Sequence, residues 1–167
     1  MGLDMYLSAE LYLWNYRDED KATSEAIEKI LGELPKGDEG HRFSPVKSVG
    51  LEVMYWRKAN AIHQWFVDNV QDGDDDCKRY CVAEETLSEL IEICKKVVKI
   101  ASQKGISQEE KIKKWEKLLP TQGGFFFGDT EYQDYYIEEC KRTAKALEEY
   151  LASDVAKRCD FYYQSSW

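Results

Sequence analysis

Residues 46–66 read VKSVGLEVMYWRKANAIHQWF, and the fold depends on how this stretch divides between strand and helix. Residues 46–54 have the composition of a β-strand, whereas residues 55–66 place Ala59, Ile62 and Phe66 at helical spacing. The sequence therefore predicts a strand that runs straight into a helix over residues 55–66, where the period of the apolar positions changes from 2 to 3.6.

Further elements are predicted on both sides of this stretch. Residues 3–14, LDMYLSAELYLW, and the tail CDFYYQSSW favour strands that could pair with each other. Apolar spacing predicts helices at 23–34, 84–101, 107–119 and 130–151, and capping boxes at Ser107–Glu110 and Thr130–Gln133 begin the last two. We expect an α+β fold in a single domain, residues 1–167, with a mainly antiparallel sheet of about three strands packed by about five helices.

Composition limits the class and location of the protein. The chain has 167 residues, 43% hydrophobic and 33% charged, which is typical of a globular domain with its own core. Its five cysteines form no dense framework and indicate reduced thiols. No run approaches the roughly 18 apolar residues of a membrane span, and the N-terminus does not resemble a signal peptide. We expect a cytoplasmic protein without a membrane partner.

The formal net charge of −9 also restricts the ligand. Binding to a nucleic-acid polymer depends on a basic surface that neutralises many phosphates, so the acidic balance argues against such a partner. A small phosphorylated ligand needs only about two or three local cations, and an acidic chain can supply those.

Polar and aromatic side chains interrupt the apolar face of residues 55–66. On a continuous helix, Trp56, Asn60 and His63 would share one flank. A base could stack on an aromatic ring, amides could bind its edge and cations could hold its phosphate. The candidate ligand-binding residues here are Trp56, Arg57, Lys58, Asn60, His63 and Gln64. The alternative is a half-buried helix whose polar residues are merely solvated.

A second candidate segment is TQGGFFFGD at 121–129. Its glycines would allow a ligand close to the backbone, and we expect one of the three phenylalanines, Phe126, to face outward or line a cleft. Gln122, Gly124, Phe126 and Tyr132 are therefore added to the candidates, together with Arg42 from the turn-rich segment 35–45. Core packing is the alternative role for Tyr132. Whether residues 55–66 and 121–135 meet is left open by the sequence.

Metal and catalytic motifs are weak. DGDDD at 72–76 lacks the Ca²⁺-loop pattern, since Cys77 and Ala83 stand where glycine and glutamate are required. Cys77 and Cys81 have three residues between them, and only His41 and His63 could complete a tetrahedral zinc set with them, so the zinc pattern is weaker still. His63 with either cysteine could form a nucleophile pair, but no orienting group or oxyanion hole is recognisable. We predict a solvated acidic turn, no metal, no cofactor and no catalytic residue.

Three blocks of the sequence resemble a family of small phage and prophage proteins. They are MGLDMYL, YWRKANAIHQWFVDNVQDGDDDC and LLPTQGGFFFGDTEY. That family is in turn similar to viral sponge proteins, which sequester the cyclic nucleotide signals of antiphage systems such as CBASS without cleaving them. The resemblance implies a location in the host cytosol, and a homo-oligomer is compatible with it. It assigns no ligand contacts, so the candidates above follow from their chemistry.

These observations together predict a phage-encoded binding protein that sequesters a small nucleotide ligand, a cyclic dinucleotide before others, and that is not an enzyme. Two alternatives stay open. One is a protein–protein interaction module that inhibits a host factor through an acidic surface. The other is a nucleotide hydrolase that uses His63 or a cysteine.

Overall fold

The computed structural model describes residues 2–14, 16–32 and 45–167. Within these ranges the chain forms four β-strands and five α-helices. In order they are β1 (Asp4–Tyr12), α1 (Asp18–Leu31), β2 (Ser48–Arg57), α2 (Asn60–Val70), β3 (Tyr80–Val82), α3 (Glu84–Ala101), α4 (Gln108–Leu118), α5 (Asp134–Leu151) and β4 (Asp160–Ser166), with a short 3-10 helix (Ala156–Arg158) before β4. The predicted α+β class is confirmed, with four strands rather than about three.

The strands form one antiparallel sheet in the order β2-β1-β4-β3. The predicted pairing of the first and last strands is confirmed, since Asp4 to Glu10 pair with Asp160 to Ser166. The register of β1 against β2 shifts between Leu7 and Ser8, which marks a β-bulge. The very short strand β3 was not predicted from the sequence.

The sheet has one covered and one open face because side chains alternate along each strand. On β1, Met5, Leu7 and Ala9 are fully buried, whereas Tyr6 between them is exposed. The covered face packs against helices that contribute Phe66, Leu87, Leu90, Trp115 and Leu147. The open face carries tyrosines and charged residues.

Helix α3 matches its predicted bounds and buries Leu87, Leu90, Ile91, Cys94 and Val97. The capping box of α4 is confirmed, because the Ser107 hydroxyl accepts from the amide of Glu110 and the Glu110 carboxylate accepts from the amide of Ser107. All five cysteines are free thiols. No helix in the described part of the chain is both long and apolar enough to cross a bilayer.

Three predicted boundaries are wrong. Residues 55–57 belong to β2 and not to a helix, because Tyr55 and Trp56 pair with Tyr6 and Met5 of β1. Helix α1 spans Asp18–Leu31 and not residues 23–34, because an acidic first turn favours the N-terminus at Asp18 and the helix is capped at Gly32, whose φ is 83°. The Thr130–Gln133 capping box does not form, since α5 begins at Asp134 without a side-chain cap.

Candidate functional site

A sharp turn joins β2 to α2 and presents two cations. Arg57 ends the strand, and Lys58 has a φ of 59°, in the left-handed region that residues other than glycine rarely adopt. The amide of Lys58 donates to the carbonyl of Leu3 at 2.7 Å. This bond fixes the turn against the start of β1. A strained backbone at a non-glycine residue is a recurrent feature of binding sites.

The side chain of Asn60, at the first residue of α2, anchors the loop 121–129. Its Oδ1 accepts from the amide of Gln122 at 3.1 Å. Its Nδ2 donates to the carbonyls of Phe127 at 3.1 Å and Asp129 at 2.7 Å. Asn60 is 4% exposed and its amide nitrogen is fully engaged, so it holds the loop and does not face a ligand.

Two glycines let the loop and the N-terminal segment close on Lys58. Gly128 has a φ of 88°, and a Cβ there would lie 3.2 Å from the Cβ of Lys58. A Cβ on Gly2 would lie 3.2 Å from the Cε of Lys58. The amide of Leu3 donates to the carbonyl of Phe126 at 3.0 Å. The segments 55–60 and 121–129 therefore meet, which answers the question left open by the sequence.

We call the surface around Arg57 and Lys58 the corner; it also includes Gly2, Tyr135 and the loop 121–129. Within the described ranges, neither cation forms an ion pair, and both are exposed. The Tyr135 hydroxyl donates to the carbonyl of Arg57, while 51% of the residue remains exposed. Phe125 is 95% exposed. The two cations thus lie beside the half-exposed Tyr135 and next to the loop that carries the exposed ring of Phe125, an arrangement that suits an anion with a flat group.

Carboxylates near the corner are engaged by other groups. Asp4, which pairs with Arg57 across the sheet, accepts a hydrogen bond from the Tyr55 hydroxyl, and this bond raises the pKa of Tyr55. Glu139 pairs with the guanidinium of Arg142 at 2.6 Å. Neither Arg57 nor Lys58 forms an ion pair in the described part of the chain, and the exposed carboxylate of Asp129, in the loop of the corner, accepts from the amide of Glu131.

The cleft behind Lys58 is too small for a nucleotide. It is lined by Lys58, Asn60, Ile62, Thr121 and Tyr136 among others, and its volume of about 20 Å³ holds one water molecule. A ligand of nucleotide size would therefore lie across the surface of the corner and not inside this cleft.

Trp56 does not lie on the corner. It is fully buried in β2, its ring packs against Phe66 at 5.9 Å, and its Nε1 donates to the Thr143 hydroxyl at 2.7 Å. The prediction that Trp56 shares a helical flank with Asn60 and His63 is wrong, because Trp56 belongs to the strand. No face of its ring is accessible to a base.

His63 is also fully buried, in the middle of a hydrogen-bonded chain. Its ring nitrogens lie 3.0 Å from Asp75 Oδ2 and 2.7 Å from the hydroxyl of Tyr163. Burial lowers the pKa of His63 below its usual 6.5, against the opposing effect of Asp75. The neutral ring therefore donates from Nε2 to the carboxylate and accepts at Nδ1. The acidic turn, predicted as merely solvated, thus supplies a partner for a core histidine.

The remaining candidates have structural contacts or lie elsewhere. Gln64 donates to Asp68 one helical turn away at 2.8 Å. Gly124 makes room for the ring of Phe127, which would lie 2.7 Å from a Cβ at that position. Phe126 is half-buried, and Phe125 is the exposed ring of the three. Arg42 lies outside the described residues.

Tyr132 is half-buried and joins the packing beside Trp115. The two rings stack with their centroids 6.2 Å apart. The Tyr132 hydroxyl accepts from the amide of Thr121 at 3.1 Å, at the beginning of the loop 121–129. This supports the alternative of a packing role.

The sequence reasoning did not identify a polar network on the open face of the sheet. Glu10 accepts from the Ser48 hydroxyl at 2.7 Å and from Arg79 Nη2 at 2.7 Å, and these bonds lower its pKa. The Arg79 guanidinium lies 3.7 Å from the ring centre of Tyr162. Tyr12 bonds both Glu10 and Tyr162. The sequence did carry a signal for this network, because polar residues alternate with apolar ones along β1, at Tyr6, Ser8, Glu10 and Tyr12.

Comparisons of the chain with protein-family models, with curated proteins and with solved structures find no match. The functional conclusion therefore depends on the side chains of the corner.

Proposed function

We propose that the protein binds a small anionic ligand of the nucleotide class at the corner and releases it unaltered. The observation that carries this proposal is the pair of adjacent exposed cations, Arg57 and Lys58, which form no ion pair in the described chain and lie beside Tyr135 and the loop that carries the exposed Phe125. Arg57 would hold a phosphate through two parallel N–H donors, and Lys58 would add a point charge.

The nucleotide class comes from the resemblance of three sequence blocks to phage proteins that are similar to cyclic nucleotide sponges. The chemistry of the corner by itself requires an anion with a flat group. Binding without turnover is favoured because His63 is fully buried, where it cannot reach a ligand at the surface. A cyclic dinucleotide, with two phosphates and two bases, is the first ligand to test.

A thermal-shift screen against cyclic mono-, di- and trinucleotides tests the proposal. A ligand at 100 times its dissociation constant adds about 2.7 kcal/mol of stability, which raises the Tm of a chain of this size by about 5–10 °C. Chromatography of the ligand recovered after heat denaturation then shows whether it is intact. New products would favour the hydrolase alternative.

The decisive variants are Arg57→Gln and Lys58→Gly. Glycine removes the cation at position 58 and relieves the left-handed backbone, so its Tm without ligand should equal or exceed that of wild type. Lys29→Gln, at an exposed lysine of α1, is the control and should keep the ligand-induced shift. The proposal fails if both corner variants retain the full shift, or if no nucleotide shifts the folded protein.

A further inference from the structure

A second charged surface lies on the helical layer and shares no residue with the corner. Residues 95–117 carry eight lysines and three glutamates, so this segment is positive in a chain whose net charge is −9. The segment covers the last seven residues of α3 and nearly all of α4. The negative charge of the protein is therefore concentrated elsewhere, and the net charge of the whole chain does not reveal this basic segment.

The lysines surround a groove between α3 and α4. Lys96 and Lys99 form one rim and Lys114 and Lys117 the other, each pair three residues apart and so on one side of its helix. Ile100 and Leu118 line its floor, and the groove volume is about 430 Å³. This is the size range of ligand-binding clefts.

The four rim lysines have no acidic partner in the described part of the chain. None of them forms an ion pair within the described ranges, and Lys114 bonds only the side-chain oxygen of Gln103, at 3.1 Å. The neighbouring groove between α3 and α5 differs in this respect, since Lys95 pairs with Glu148 and Lys145 with Glu149. The α3–α4 groove thus has an apolar floor, and the lysines at its rim form no ion pair with a carboxylate in the described part of the chain.

We propose that this groove binds an acidic amphipathic helical segment of a partner protein. Carboxylates at helical spacing would pair with the two lysine rows, and an apolar stripe between them would cover Ile100 and Leu118. Lysine stems add apolar contact while their ammonium groups reach the rim. This docking function is independent of the ligand proposed for the corner.

The lining of the groove favours a protein segment over a nucleic acid. None of the described residues that line the groove is an arginine or an aromatic residue, so these residues offer neither bidentate phosphate contacts nor a surface for base stacking. A long polyanion would also extend onto the acidic remainder of the protein. A short acidic helix can end where the lysines end.

Fluorescence anisotropy with a labelled synthetic helix tests the proposal. The probe is a 15-residue peptide with a leucine stripe flanked by glutamates. Matched probes carry the same residues in scrambled order, or glutamine for each glutamate. We expect saturable binding of the first probe, weakened at high salt by screening, and at least about tenfold weaker binding of the others. A 16-base-pair DNA duplex is the competing polyanion.

The double variant Lys99→Glu with Lys117→Glu should weaken probe binding at least about tenfold, because like charges then face each other. Lys29→Glu with Lys113→Glu makes the same change in net charge at exposed positions outside the groove and should change binding less than about twofold. Circular dichroism melts establish that both variants fold. ¹H–¹⁵N spectra should show probe-induced shifts at residues 96–103 and 114–118.

Three outcomes would overturn the proposal. The first is no saturable binding of the amphipathic probe to the folded wild-type protein. The second is equal binding of the scrambled probe or an equal loss in the control double variant, either of which would indicate general charge attraction. The third is tighter binding of the DNA duplex with shifts at the same amides, which would identify the occupant as nucleic acid.

Discussion

Replacing Asn60 by alanine should release the loop 121–129 from the turn that carries Lys58. The substitution removes three hydrogen bonds, to the amide of Gln122 and the carbonyls of Phe127 and Asp129. At roughly 1 kcal/mol for each bond, the free energy of unfolding should fall by about 3 kcal/mol. For a chain of this length, that loss lowers the Tm by about 6–12 °C.

Urea denaturation followed by circular dichroism, without any ligand, measures this loss. Asn69→Ala is the matched control in the same helix, because Asn69 donates a single bond, to the carbonyl of Trp65 at 2.7 Å. It should cost about 1 kcal/mol or less. Equal losses in the two variants, or a loss below about 1 kcal/mol for Asn60→Ala, would refute the assignment of Asn60 as the loop anchor.

Three further predictions concern backbone, core and pH. Gly128→Ala should lower the Tm in calorimetry more than Gly105→Ala, because both have positive φ but only a Cβ at Gly128 would crowd Lys58. Thr143→Val should cost about 1–3 kcal/mol in urea denaturation, since it leaves the buried indole N–H of Trp56 unpaired. Burial lowers the pKa of His63 in the folded protein, so the unfolded chain takes up the proton at a higher pH than the folded chain does. The contribution of His63 to the free energy of unfolding is therefore complete above pH 6.5 and declines as the pH falls. The Tm should therefore fall more between pH 7 and 5.5 in wild type than in His63→Gln.

Elements with a strong local signal could be predicted from the sequence. Helix α3 keeps its apolar positions on one face, and the Ser107–Glu110 pair begins α4 by contacts within four residues. The helix predicted at residues 55–57 was wrong because Tyr55 and Trp56 fit a strand as well as a helix. Pairing with β1, about fifty residues earlier, decided in favour of the strand.

The candidate site shows the same division between local and distant information. Arg57 and Lys58 were found from the sequence because cations suit an anion wherever they are exposed. The side-chain amide of Asn60 was predicted to bind a ligand. Its hydrogen-bond partners are instead backbone groups of the loop 121–129, more than sixty residues away. His63 likewise contacts Tyr163, one hundred residues later. Single-sequence reasoning identifies such side chains but not what they face.

The strand order has a consequence for biosynthesis. The two central strands, β1 and β4, are separated by nearly 150 residues, yet seven residue pairs join them. At the usual rate of synthesis, roughly 5–20 residues per second, β1 is made about 8–30 s before β4. Of the strands in the described ranges, only β2 can pair with β1 during that interval, and the other edge of β1 stays open to chaperones or to another nascent chain. We therefore expect the sheet to close only when the last strand leaves the ribosome.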